Sequence, residues 1–377
     1  MRTYTTLQLI LLAVVMLITL IYVFGTQHRS QKKICVAAVT IVMTLFSGLR
    51  SWWMGDLIKY YTLYLHCSGP DWQEYVYSKP ANIGIRLFFH YGNLFGLSYE
   101  ACLFLIAAFT AITLGVLIYR YSPSPYWSYL IYIAMGFYLF TYSGLKQTIA
   151  MGFLCMAMLG LLEGHFLRFL LWVLLGSLFH APALIFLPAY FLARRRPDLS
   201  YGLMLLALLA LVFFFRNRIV ELLAEMYYDE EETLEISQRV GGRFLMMLFI
   251  LAAGYYLRPL HAHDKIYGYV FNTMVLAAAL QTFSIYDNNY TRLTDYYYQF
   301  VVLYIPMMLQ TGESQAHFMP ERKHEILYHS KDLYLILGLA VTAFALWYYN
   351  SLVDASYLIL KDFKFIWEID PYALYGT

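Results

Sequence analysis

Arg50, Asp56 and Lys59 fall within ten residues of one another in the stretch GLRSWWMGDLIKY, directly after an apolar run. A guanidinium is a permanent cation that can hold a phosphate, and a nearby carboxylate is a proton acceptor. Together Arg50 and Asp56 read either as a local ion pair or as a phosphate-binding cation beside a base. A lone arginine one residue past a membrane span would instead read as a snorkelling anchor. Asp56 shifts that balance, because an acid gains nothing from an anionic lipid surface. Tyr60 follows one helical turn after Asp56.

Further polar points interrupt the later apolar runs. Lys146 and Gln147 open the run SGLKQTIAMG, where an anchoring lysine is the simpler reading and an amide at a helix start in lipid asks for a partner. The small residues Ala150 and Gly152 that follow permit close helix packing. His180 lies in FHAPAL, where a neutral imidazole is either a satisfied buried residue or a group that orients a hydroxyl, accepts a proton or binds phosphate. Arg292 opens RLTDYYYQF, with Asp295 and Tyr296 one turn later as structural contacts or as neighbours in a site.

Signatures of soluble enzymes are missing. The chain has no GxGxxG after a strand, no GxxxxGK[ST], no HExxH and no GxSxG. His261 and His263 in HAHD sit in a short charged connector, as loop residues or a weak metal site. We expect no cofactor and no structural or catalytic metal.

The elements that position these groups are membrane helices. Hydrophobic residues make up 61% of the chain and charged ones 13%, against about a quarter in soluble domains. Apolar runs of about 20 residues recur from Leu7 to Tyr349. The expected fold is an all-α polytopic membrane protein of about 11 to 13 transmembrane helices, half-spans included, forming one domain over 1–377 in the lipid bilayer. A net charge of +2 and the lack of a basic, aromatic-interleaved stripe give no sign of nucleic acid. Cys35, Cys67, Cys102 and Cys155 have no CxxC spacing and read as small core residues. Aromatics at 19%, with 37 tyrosines, suit interfacial belts and sugar stacking alike.

Basic short connectors stay on the cytoplasmic side. Arg29, Lys32 and Lys33 therefore place the first connector inside and Arg50 outside. Residues 50–82 are expected as an external loop with interfacial helices. Ile83 to Leu97, which carries Arg86, His90 and Asn93, is expected as a half-span buried against protein. Leu103 to Tyr119, Trp127 to Tyr142, Ile149 to Leu162 and Leu293 to Leu309 are expected as spans. Phe166 to Ala193 is expected as a tight hairpin broken at HAP, which returns Arg194, Arg195 and Arg196 to the inner side and places His180 outside. The loop 217–241, with the acidic run Asp229 to Glu232, and the tail 351–377 are expected outside. On this topology Arg50, Lys146, Gln147, His180 and Arg292 are delivered to one face of the membrane. No fixed-period repeat or duplication of halves is visible, unlike many transporters.

The ordered set GLR (48 to 50), GD with Tyr60 (55, 56, 60), GLKQTIA (144 to 150), FHAPAL (179 to 184) and RLTDYY (292 to 297) resembles the EpsG family of exopolysaccharide-associated membrane proteins, akin to Wzy-type polymerases. The resemblance covers roughly residues 40 to 310. Lys146 stands where the family pattern carries arginine, which keeps the charge and loses the bidentate fork. The resemblance implies an inverting, metal-independent, GT-C-like glycosyltransferase in the bacterial inner membrane, with its site on the extracytoplasmic side. Its substrates would be polyprenyl-pyrophosphate-linked oligosaccharides, and its associates flippase and chain-length regulator proteins. Arg50, Lys146 and Arg292 would meet pyrophosphate, Asp56 or His180 would be the base, and Gln147, Tyr60 and Tyr296 would position substrate. A lipid-linked glycan flippase and an O-antigen-ligase-like transferase are the rival readings.

Overall fold

The computed structural model describes residues 3–25, 28–52, 56–77, 81–196, 199–215, 217–218, 221, 240–261, 264–285, 289–309, 336, 338–349 and 363–368. Helices make up most of these residues, with an isolated bridge between Arg50 and Phe365 as the β pairing found among them. They include five helices long and apolar enough to cross a membrane: Leu7–Phe24, Arg29–Gly48, Tyr99–Tyr121, Leu145–Glu163 and Lys265–Ser284. Shorter apolar helices accompany them, among them Phe166–Phe179, Gly242–Leu257 and Gly338–Tyr349. The protein is an all-α polytopic membrane protein. Most of the loop expected at 217–241, with its acidic run, lies outside the described residues. So do His263, the polar stretch 311–331 and the tail 351–377 apart from 363–368.

The chain groups into two compact units, where the sequence reads as one domain. The first comprises Met1–Cys155, Leu178–His180 and Val341–Thr377, and the second Met156–Ser177 and Ala181–Ala340.

In the first unit, α1 (Thr3–Phe24) and α2 (Arg29–Gly48) form a helical hairpin, and α2 packs along α6 (Tyr99–Tyr121). Contact between α2 and α6 is close because Gly115 carries no side chain: a Cβ there would sit 2.7 Å from the Thr40 hydroxyl. Between α2 and α6 the chain forms α3 (Leu57–Ser68), α4 (Trp72–Tyr77) and α5 (Ile83–Leu94). At about 1.5 Å per residue, α5 with its 12 residues is too short to span a bilayer.

The polar groups of α5 are satisfied inside this cluster. Arg86 donates from Nε to the Val76 carbonyl at 3.0 Å and from Nη2 to the Ala81 carbonyl at 2.9 Å. The His90 ring lies against that of Trp72, with centroids 3.7 Å apart, and its Nδ1 is 2.9 Å from the Cys67 carbonyl. Asn93 donates to the Tyr64 hydroxyl at 2.9 Å. These bonds satisfy, within the protein, polar groups that lipid could not. A Cβ on Gly84 would meet the Leu178 backbone at 2.9 Å, so α5 sits directly against the turn that carries His180.

Some expected spans are broken. Trp127 to Tyr142 is not one continuous helix but α7 (Pro125–Ala134) and a short α8 (Phe137–Phe140). Gly136 between them adopts φ 83, a left-handed conformation that glycine reaches without steric cost. Then come α9 (Leu145–Glu163) and α10 (Phe166–Phe179).

In the second unit, residues 166–177 and 181–193 run out and back. The return strand of this hairpin holds a 3₁₀ turn (Ala181–Phe186) and α11 (Ala189–Ala193). Ring contacts close it, Phe169 lying 5.7 Å from Phe186 and 5.2 Å from Tyr190. Its ends meet: Tyr190 donates to the Gly164 carbonyl at 2.7 Å, and Arg194 donates to the Leu161 carbonyl. Arg194 thus returns to the end of α9 from which the hairpin leaves.

Next come α12 (Leu199–Phe214), α13 (Val240–Leu257), α14 (Lys265–Gln281), α15 (Asn289–Tyr298) and α16 (Val301–Leu309). Leu293 to Leu309 is therefore divided, because Gln299 and Phe300 leave the helix. Asn272 of α14 donates to the Ala193 and Arg195 carbonyls at 2.9 and 2.8 Å, occupying backbone acceptors left open where α11 ends.

Candidate functional site

Arg50 lies just past the last turn of α2 and is 1% exposed. Its Nη1 donates to the Ser47 carbonyl and, at 2.9 Å, to the Ser47 hydroxyl. Its Nη2 donates to the Thr141 carbonyl at 3.1 Å, and the guanidinium stands 5.5 Å from the Tyr142 ring centre. The Nε is buried without a hydrogen-bond partner. Among the described residues no carboxylate pairs with this charge. Burial presses its pKa below the ordinary arginine value, opposed by the Tyr142, Tyr99 and Tyr138 hydroxyls. A buried cation without an acid is costly, and here the Ser47 hydroxyl and the Ser47 and Thr141 carbonyls supply its hydrogen bonds.

The ion-pair reading of Arg50 with Asp56 does not hold in this structure. Asp56 precedes α3 and pairs with Lys59 at 3.8 Å, both side chains being well exposed at 46% and 65%. Such a pair contributes little stability. Asp56 is therefore an exposed carboxylate, whereas Arg50 is enclosed.

Tyr60 links the opening stretch to α9, its hydroxyl accepting from the Lys146 backbone N–H at 3.5 Å. The first unit thus brings Arg50 and Tyr60 to the segment 141–147, through Thr141 in one case and Lys146 in the other. Gln147 and His180 are each 3% exposed, and Phe179 beside His180 packs on Phe153 of α9 at 5.5 Å.

Features that sequence reasoning missed surround Arg50. Its aromatic neighbours Tyr99, Tyr138 and Tyr142 carry no local signal among 37 tyrosines. The segment 363–368 crosses the 49–51 turn, with the Ser51 N–H donating to the Lys364 carbonyl at 2.6 Å and the Ile366 N–H to the Leu49 carbonyl at 3.0 Å. Phe363 packs on Phe46 at 5.6 Å and on Tyr142 at 5.5 Å. Nothing in the tail sequence marks that return.

In the second unit Arg292 is exposed on α15, and Tyr296 on the same helix is fully buried. The Asp295 carboxylate is bonded by Arg243 of α13 and also feels the charge of Arg292. The carboxylate that the sequence set beside Arg292 is hydrogen-bonded by Arg243, an arginine that the sequence did not single out. Tyr297 donates to the Ile185 carbonyl at 2.6 Å, fixing α15 to the hairpin.

His261 stacks on Tyr267 with ring centres 4.1 Å apart, and burial lowers its pKa against the opposing influence of Asp264. No group of three or more His, Cys, Asp or Glu gathers among the described residues. Cys35, Cys67, Cys102 and Cys155 are buried, unbridged thiols, matching their reading as core residues.

Comparison with protein families finds the EpsG family matching residues 33–361. Comparisons with curated proteins and with solved structures give no match.

Proposed function

The chain belongs to the EpsG family, and from that membership we propose that it polymerises polyprenyl-pyrophosphate-linked oligosaccharide repeats into exopolysaccharide or O-antigen at the outer face of the bacterial inner membrane. The match over most of the chain is the observation that carries this reading, and it supports an exopolysaccharide-polymerase type of function. The finer chemistry is what that membership implies, carried onto the residues of this chain.

The reaction is a displacement at the anomeric carbon of one lipid-linked glycan. A hydroxyl of a second lipid-linked unit attacks, the bond to the pyrophosphate oxygen breaks, and the lipid pyrophosphate leaves with the electron pair. A single attack from the opposite face inverts that carbon. The departing group gains negative charge, so cations held in place before the reaction lower the barrier. Arg50, Lys146 and Arg292 take this role. The bonds from Arg50 to Ser47 and Thr141 support it, because they fix the guanidinium in advance.

The attacking hydroxyl loses a proton, and Asp56 or His180 accepts it. Asp56 is the more accessible of the two, whereas His180 is enclosed. Gln147, Tyr60 and Tyr296 position substrate, Tyr60 through its contact with the start of α9. No metal enters this scheme, because fixed side-chain cations supply the charge, in the manner of a GT-C-like enzyme. Flippase and chain-length regulator proteins are the associates this role implies.

The test is made in cells that depend on this protein for polymer. Arg50→Ala and Arg292→Ala should each stop elongation and leave single lipid-linked repeats in the membrane. Polymer of normal length in both variants contradicts the proposal.

A further inference from the structure

Arg243 opens α13, and its guanidinium reaches α15 to bond the Asp295 carboxylate. The same guanidinium lies 5.1 Å from the ring centre of Tyr298, three residues beyond Asp295 and so on the same helix face. The pair is well covered, the Arg243 side chain being 20% exposed and that of Asp295 14%. Arg292, three residues before Asp295 on that face, is exposed and also acts on the carboxylate through its charge.

One acid thus feels two guanidiniums, and the three groups together carry a net positive charge. An aspartate one turn after an arginine is well placed to neutralise it. The hydrogen bond from Arg243, with its guanidinium held over Tyr298, engages that carboxylate directly.

We propose that Arg243 is a positioning residue for Arg292: by holding the Asp295 carboxylate it keeps that acid from cancelling the neighbouring cation, so that Arg292 presents its charge to a diphosphate. This rests on the assignment of Arg292 to the pyrophosphate of the lipid-linked substrate. A conventional structural ion pair would stabilise α13 against α15 and leave anion binding unchanged.

The experiment measures binding of inorganic pyrophosphate to the purified full-length protein by titration calorimetry. Arg243→Gln should weaken binding on the order of tenfold, the scale of one charge at a partly exposed site. Asp295→Asn should bind more tightly than wild type. The double variant Arg243→Gln with Asp295→Asn should recover affinity to within about twofold of wild type, because the cancelling acid is gone. In an Arg292→Ala background, Arg243→Gln should have no further effect. A double variant as weak as Arg243→Gln alone, or wild-type affinity in Arg243→Gln, overturns the proposal, as does absence of pyrophosphate binding by the wild type. Thermal unfolding of each variant separates loss of fold from loss of binding. Elongation of lipid-linked repeats, measured on the same preparations, tests the polymerase reading separately: the expected binding pattern without elongation sinks that reading and leaves the role of Arg243 standing.

Discussion

Arg50 and Thr141 are 91 positions apart, yet the guanidinium of the first donates to the carbonyl of the second at 3.1 Å. That bond ties the C-terminal end of α2 to the turn leading into Lys146. A lysine is a point donor and cannot span Ser47 and Thr141 together. Arg50→Lys should therefore keep the charge, lose about 1–3 kcal/mol of stability and reduce elongation far more than Arg50→Ala reduces it further. Thermal unfolding and polymer yield of both variants measure this. Wild-type elongation in Arg50→Lys would show that the fork geometry is unimportant.

The segment 363–368 gives a second expectation. Phe363 is 7% exposed between Phe46 and Tyr142. Truncating it to alanine should cost about 3 kcal/mol, the usual scale for an aromatic removed from a packed site. Ending the chain after residue 362 should in addition open Arg50 to solvent, because the pairing of Leu49 and Ser51 with Lys364 and Ile366 is lost. Faster amide exchange at residues 49–51 in the shortened protein is the readout, and unchanged exchange would show that the segment does not cover the turn.

Tyr60 makes a narrower case. Its hydroxyl accepts from the Lys146 N–H at the long distance of 3.5 Å, so the bond itself is weak. Tyr60→Phe should shift stability by less than about 1 kcal/mol while slowing elongation roughly fivefold, if the hydroxyl serves substrate. Equal small effects on both would leave Tyr60 as a packing residue.

His261 supplies a pH dependence. Burial lowers its pKa from the free value of about 6.5, so the unfolded chain binds the extra proton first as pH falls. The stability it contributes is full above about pH 6.5 and is lost as pH falls towards the lower folded pKa. Asp264 is the charged group that opposes the shift. His261→Gln should flatten this part of the stability curve below neutrality, as followed by thermal unfolding against pH. A slope identical to wild type would remove His261 from the effect.

Much of the fold was legible because apolar runs and basic connectors are local signals. That Ile83 to Leu97 would not form a full-length span was readable from Arg86, His90 and Asn93, and the helix there is the short Ile83–Leu94 with those groups bonded inside the protein. The hairpin around HAP was readable from the three arginines that follow it, and Arg194 does return to Leu161. The break at Gly136 was not, since a glycine in an apolar run signals a kink only once its φ is known. Of the candidate site, the motifs themselves were visible, and the contacts of Arg50 with Thr141 and of Tyr60 with Lys146 were not. The pairing of Arg243 with Asp295, 52 positions apart, left no periodic trace. The enclosure of Arg50 by residues 363–368 is likewise a long-range contact that no window of sequence contains.

The most direct measurement incubates the purified protein, in metal-free buffer with chelator, with defined lipid-pyrophosphate-linked repeats and follows glycan length and released lipid pyrophosphate. The proposal expects glycan longer than the input, one lipid pyrophosphate released for each linkage, and inverted configuration at each new linkage. Substrate that crosses a vesicle membrane without lengthening, or that moves only onto a different acceptor lipid, would contradict it.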